Sequence, residues 1–381
     1  MRKNMNKLVF STHAMNLFNK FETSYEEINN LMYDLAMGNE IYDEESGKVI
    51  SRRDAEKKLH EFFCEFFGVD KKSTKRERKR AYEDHAKEFF RLIEEDVDAI
   101  VDTGLKESEW FQELVEEHNQ ALDDELQFWT EEDVILNVAK AGRTHHDHIL
   151  QRLGAGQYVS IPMARYVVAV GGDIDRYILG DLDWSKLVSS IAIAYQHQIQ
   201  DLIYEHVTGA AAQLPVTEGF VGTGDLDSTT KTQFDTIIAN VSIANNNSEV
   251  AIFGTKNALK KITNFYNGAV NWIAPSQKES VAHTGRLGDY EGTLLVEIPQ
   301  RFARNQVGVH FYDDKKLYIF ARGKDNKLVA LGDSGETIID EITERGEANA
   351  NISDLMKYEV QRDFGVVTRI GQYFGQWTTT N

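Results

Sequence analysis

The placement of proline constrains this chain more than any other feature. All four prolines, Pro162, Pro215, Pro275 and Pro299, lie beyond residue 160 of 381. Proline removes a backbone donor and clashes inside a helix, so a long proline-free and highly charged stretch is open to helix formation. The first 125 residues are such a stretch, and their apolar residues recur at steps of three and four. Leu59, Phe62, Phe63, Phe66 and Phe67 draw one stripe; Phe89, Phe90, Ile93, Val97 and Ile100 draw a second. Trp110, Phe111, Leu114 and Val115 begin a third. Residues 1–125 are expected to form a helical N-terminal region. Between the first two stripes, residues 71–80 read Lys-Lys-Ser-Thr-Lys-Arg-Glu-Arg-Lys-Arg. Such a run can meet phosphate or a partner, but its acidic flanks can neutralise it, and a solvated helix start is the better reading.

From about residue 126 the texture changes. Phe128–Val138 and Gln157–Val170 read as extended segments, the second rich in Tyr, Val and Ile. The polar, glycine-containing stretch Ala141–Gly156 between them makes this a long two-stranded arm with an irregular tip. A hairpin of that length is marginal in water by itself, so it is expected to lie on something else, such as a neighbouring subunit. The clearest helix follows, about Asp183–Val207, with Asp183 as N-cap, Gly209 as the stop and Pro215 beyond. Trp184, Leu187, Val188, Ile191, Tyr195, Ile199, Leu202 and Ile203 form its apolar stripe. Residues 216–350 alternate short strands, turns and helices, an α+β texture. Val250–Phe253, Thr293–Ile298 and Leu317–Ala321 are strand candidates, with a short helix around Lys256–Phe265. Strands resume in Met356–Trp377 and are expected to return to the core.

Composition narrows the function classes. With 41% apolar and 10% aromatic residues the chain can bury a substantial core. A formal net charge of −19 repels phosphate backbones at long range and speaks against a dedicated nucleic-acid-binding module. A container for DNA tolerates that charge, because it does not need to grip its cargo. The lone cysteine, Cys64, sits in Phe62-Phe63-Cys64-Glu65-Phe66-Phe67 and reads as a small apolar residue of a packed helix. Arg2, Lys3 and Lys7 precede only Leu8-Val9-Phe10, too short an apolar run for a secretory signal. No run approaches a bilayer span, so synthesis and assembly in the cytoplasm are expected.

The chemical motifs are few. His145-His146-Asp147-His148 holds donors that suit zinc, but the metallo-β-lactamase pattern would place its first histidine at 143, where the chain has Arg143. The run also falls at the expected hairpin tip, which supplies no rigid support for ligands. A metal-dependent hydrolase using His145, His146 and His148 is therefore a minor alternative, and a subunit contact or pH-sensitive tip is preferred. Gly222-Thr223-Gly224 lacks the rest of a dinucleotide fingerprint and reads as a flexible turn. Gly285-Arg286-Leu287-Gly288-Asp289-Tyr290-Glu291-Gly292 leads into a strand, so its amides do not converge on an anion. Glu94-Glu95 reads as a solvated helix face, and no nucleophile elbow occurs. No catalytic residue, metal or cofactor is expected.

The order of parts, together with Gly285–Thr293 running into Leu294-Leu295-Val296-Glu297-Ile298-Pro299, then Leu317–Phe320, Lys357–Val360 and Phe364–Val367, resembles tailed-bacteriophage major capsid proteins of the Hong Kong 97-type fold. The resemblance covers about residues 126–381. It implies an α+β subunit with a helical N-terminal region or arm (1–125) and an E-loop hairpin with flanking P-domain strands (126–180). A P-domain spine helix (181–215), an A-domain (216–350) and a C-terminal return to the P-domain (351–381) complete it. It further implies self-assembly as hexamers and pentamers into an icosahedral shell around double-stranded DNA, without sequence-specific binding. Portal and scaffold or decoration proteins are the implied partners. Arg143, His145, His146, His148, Arg152 and Tyr158 are the expected inter-subunit contacts. The 125-residue N-terminal region is longer than a simple arm. In relatives such an extension is often a scaffolding domain that a protease removes; here it is expected to be kept. Some relatives crosslink Lys to Asn, but no partner motif accompanies Lys140 and no crosslink is assigned. An encapsulin-like nanocompartment shell is the nearest alternative.

Overall fold

The computed structural model describes residues 24–42, 49–70, 72–121, 127–130, 157–173, 176, 184–213, 219–266, 275–303, 306–323, 327–341, 355–368 and 373–380. In chain order these form α1 (Tyr25–Met37), β1 (Ile41–Tyr42), β2 (Val49–Ile50), α2 (Arg52–Phe66), α3 (Lys75–Lys106) and α4 (Glu109–Leu114). Strands β3 (Val115–Asn119), β4 (Gln127–Thr130), β5 (Gln157–Ser160) and β6 (Ala164–Asp173) follow, then α5 (Trp184–Gln213). Next come β7 (Val221–Thr223), α6 (Lys231–Ala244), β8 (Val250–Gly254), α7 (Lys256–Ile262) with a 3₁₀ turn (Thr263–Tyr266), and α8 (Pro275–Thr284). The chain closes with β9 (Asp289–Tyr290), β10 (Thr293–Glu297), β11 (Lys316–Ala321), β12 (Val329–Glu341), β13 (Leu355–Thr368) and β14 (Gly375–Thr378). Mixed helix and sheet agree with the α+β class. The chain divides into two compact units, through both of which α5, β12 and β13 run.

The first unit comprises residues 1–105, 164–199 and 334–364. Its helices begin where short polar side chains satisfy the free amides of the first turn. Ser24 and Glu27 form a capping box on α1, Ser51 accepts from the amide of Asp54 on α2, and Thr74 and Glu77 cap α3 reciprocally. The basic run is therefore a helix start. The first two stripes meet face to face: Phe63 and Phe67 lie against Phe89 at 5.3 and 5.4 Å between ring centroids, and Phe67 also faces Tyr82. In the sheet, β13 pairs antiparallel with β6 from Leu355↔Asp173 to Phe364↔Ala164. Along the half of α5 in this unit, Val188, Ile191, Tyr195 and Ile199 are buried, and the Tyr195 hydroxyl donates to the Val360 carbonyl at 2.5 Å.

The second unit comprises residues 106–163, 200–333 and 365–381. A mixed six-stranded sheet runs β7-β14-β11-β8-β10-β9. Central β8 is buried at all five positions, parallel to β10 and antiparallel to β11. That explains its unbroken apolar sequence, since both faces are covered. Against the sheet pack Phe234, Ile237 and Val241 of α6 and Leu259 and Ile262 of α7, around fully buried Trp377. Glu291 (φ 48°) and Gly292 (φ 85°) make the two-residue turn joining β9 to β10, so the glycine-rich run leads into a strand, as expected, by way of a hairpin.

Several boundaries differ from the sequence reading. Helix α5 passes Gly209 and ends at Gln213, because Ala210-Ala211-Ala212 are strong helix formers. The third stripe holds for Trp110, Phe111 and Leu114, buried on α4, but Val115 leaves it to open β3, paired in parallel with Val329 of β12. Gly222 is not a flexible turn: it lies in β7, where a Cβ would come within 2.2 Å of the Trp377 ring. The C-terminal segment divides, with Leu355–Phe364 in the first unit and β14 pairing with β11 and β7 in the second. Asp183 lies outside the described residues.

Candidate assembly surface

Strands β4 and β5 form an antiparallel ribbon with Trp129 directly opposite Tyr158. The two rings meet edge to face, 4.9 Å between centroids and 67° between planes. They remain 48% and 67% exposed. Large aromatic rings with small conformational entropy are the side chains that anchor protein interfaces, and a two-stranded ribbon gains stability by lying on another surface. Tyr158 is the one expected contact residue that the structure places. Arg143, His145, His146, His148 and Arg152, with Lys140, lie outside the described residues. Trp129 escaped the sequence reading, although the two expected strands contained it opposite the Tyr158 region.

Inside the first unit, a buried cation and the carboxylates facing it are locked into structure. Arg362 of β13 has no exposed side-chain surface; it donates to Asp98 at 2.5 Å and to Asp102 at 3.2 Å, both on α3. The amide and hydroxyl of Thr337 also donate to Asp98, and the amide of Ile339 donates to Glu94 at 2.7 Å. Burial raises the Asp98 pKa most, Arg362 and the Thr337 hydrogen bonds oppose it, and the net value is about 7. Burial also raises Asp96 and Glu94. Glu94 is thus no solvated side chain, contrary to the sequence reading: its carboxylate holds a β12 amide. Glu94, Asp98 and Asp102 repeat every four residues, a signal visible in the sequence; Arg362, 260 residues beyond Asp102, was not. Cys64, read as an apolar helix residue, has its Sγ 3.5 Å from Nε2 of His60, one helical turn back.

In the second unit, Tyr290 donates to Asp235 at 2.6 Å, and its pKa rises through burial and that bond. An apolar cavity of about 10 Å³, lined by Trp110, Leu114, Ile203, Tyr204, Tyr318 and Phe320, has room for roughly one water. Its lining contains no carboxylate, imidazole or cation. No helix among the described residues is long and apolar enough to cross a membrane.

What this chain presents is contact surface, and it is a structural protein built to join an assembly. It belongs to the family described as "SPbeta prophage-derived putative capsid protein YonB", whose model matches residues 27–378. A capsid protein resides in the virion. Similar solved structures include the head of Helicobacter pylori bacteriophage KHP40, at 10% identity and a TM-score of 0.46, covering 70% of this chain and 87% of that one. The mature capsid of bacteriophage PhiM1 matches at 10% identity and 0.43, covering 70% and 85%. A virus-like particle from Pyrococcus furiosus matches at 13% and 0.39, covering 74% and 98%. At these scores the family match carries the assignment. No curated protein matches the chain.

Proposed function

We propose that this chain is the major capsid protein of a tailed double-stranded DNA bacteriophage, with a Hong Kong 97-type fold. The observation that carries this reading is the capsid-family match from residue 27 to 378. The exposed Trp129–Tyr158 ribbon supports it physically. Copies assemble through heterologous contacts that close into pentamers and hexamers, and a ribbon lying on a neighbour adds buried area without a rigid docking angle. Arg143, His145, His146, His148 and Arg152 are further inter-subunit contacts in this reading. The shell encloses DNA without reading its sequence, in keeping with a charge of −19. It assembles in the host cytoplasm with portal and scaffold or decoration proteins, and catalyses no reaction. The helical N-terminal region stays in the mature subunit.

The test is negative-stain electron microscopy of the purified full-length chain, with metal content measured on the same sample. Closed shells, rings or polyheads without metal are expected. Uniform small shells that hold host proteins and no DNA would favour an encapsulin-like compartment. A monodisperse monomer or dimer with stoichiometric zinc would overturn the reading.

A further inference from the structure

The start of α3 gathers positive charge in a chain whose net charge is −19. Between Asp70 and Tyr82 the described residues include six cations, Lys72, Lys75, Arg76, Arg78, Lys79 and Arg80, against one carboxylate, Glu77. Arg78 is half-buried and donates to the Ser73 carbonyl at 3.0 Å; the other five are exposed. Lys75 and Lys79 lie one turn apart, as do Arg76 and Arg80, so the four share one side of the helix. That side points away from Tyr82 and Phe89, each 1% exposed, which hold α3 to the core.

The nearby acids are engaged elsewhere. Asp70 accepts from the Lys72 amide at 2.8 Å and the Ser73 hydroxyl at 3.1 Å, and Glu77 accepts from the Thr74 amide at 2.8 Å. Those bonds hold both carboxyls below the ordinary range. Glu61 of α2 pairs with Lys57 of its own helix at 3.8 Å. Glu83 meets Lys79 at 4.0 Å with both side chains more than half in water, where such a pair is weak. Cations in the first turns of a helix also oppose its dipole and weaken it, which points to a use outside the helix.

Phosphate fits this face. From Lys75 to Arg80 the helix rises about 7.5 Å, a length over which duplex DNA carries about four phosphates. Single strands are held by stacking on aromatic rings, and residues 72–81 contain none. We propose that Lys72, Lys75, Arg76, Lys79 and Arg80 contact the phosphate backbone of double-stranded DNA without reading its sequence, an assignment that rests on the shell reading above, which puts such DNA beside the subunit. The rest of the acidic chain repels the duplex, so the contact is local and strongly salt-dependent.

The experiment measures binding of the full-length chain, kept unassembled at low concentration, to a fluorescent DNA duplex of arbitrary sequence across a salt series. The comparison is the variant Lys72→Gln/Arg76→Gln/Lys79→Gln/Arg80→Gln, with Lys57→Gln/Lys58→Gln on α2 as the control. The four-site variant is expected to bind at least about tenfold more weakly at low salt and to lower the salt slope by about 3–4. Its melting temperature should hold or rise, since charges opposing the helix dipole are gone. The control should keep the wild-type slope. An unchanged slope in the four-site variant, tighter binding to a single strand, or equal binding to polyglutamate would overturn the proposal. So would loss of DNA-free shells or rings in that variant, which would make this face a subunit contact. None of these outcomes touches the shell reading, which electron microscopy of the wild-type chain tests separately.

Discussion

Arg362 carries a full charge with none of its side chain in water, and that charge is tolerable only because Asp98 and Asp102 face it. Replacing one member strands the other, so Arg362→Met is expected to destabilise the first unit by about 3–5 kcal/mol, read as a lower urea midpoint. The same site gives a pH dependence with a definite sign. Folding raises Asp98 from 3.8 to about 7, so the protonated form is favoured in the folded state. Its contribution is complete below the ordinary carboxylate range and is lost as pH rises through about 7. Burial pushes Asp96 and Glu94 in the same direction. Melting temperature is therefore expected to fall between pH 5 and pH 8, and more gently in Asp98→Asn. An equal slope in the two proteins would remove Asp98 as the cause. Asp314 has the opposite sign. Burial alone would raise it, but hydrogen bonds from Thr255, His310, Gln300 and Asn257 hold it at about 2. That contribution is present above the ordinary carboxylate range and lost as pH falls toward 2.

At the scale of elements, the close approach of β7 and β14 depends on one missing side chain. A Cβ on Gly222 would sit 2.2 Å from the Trp377 ring and 2.9 Å from Ile237. Gly222→Ala must displace a fully buried indole, and a cost of about 1–3 kcal/mol is expected, with a changed near-ultraviolet tryptophan signal as the check. Trp129→Ser with Tyr158→Ser should act differently: both rings are exposed, so the melt should hold while assembly declines. These elements also mark what the sequence could reveal. The stripes of α2 and α3, the spacing of Val188, Ile191, Tyr195 and Ile199, and the all-apolar β8 were legible because local periodicity reports which face is buried. Gly222 and Val115 misled for a common reason. Each takes its conformation from a partner more than 150 residues away, Trp377 and Val329, and local pattern carries no record of such pairings. In the candidate surface, Tyr158 was legible as an aromatic on an expected hairpin.

For the whole molecule, the question is whether the helical N-terminal region serves only during assembly or belongs to the finished subunit. A removable scaffolding segment should leave behind a surface complete without it. The first unit is not of that kind. Asp98 and Asp102 of α3 hold the buried guanidinium of Arg362, Glu94 holds the Ile339 amide, and Gln196 of α5 donates to the Ile100 carbonyl at 2.8 Å. Gly104 lets Gln196 approach so closely that a Cβ there would fall 2.1 Å from its side-chain nitrogen. The aromatic contacts of Phe63 and Phe67 with Phe89 then tie α2 to α3. Excision of α3 would bare the Arg362 charge and the Thr337 and Ile339 amides together, each costing free energy unless water reaches it. Mass spectrometry of mature particles is therefore expected to find peptides from residues 75–106 in the same molar amount as peptides from residues 316–321. Particles that keep the second set and lack the first would show that the region is a scaffold after all, and that the first unit reorganises around Arg362 when it leaves.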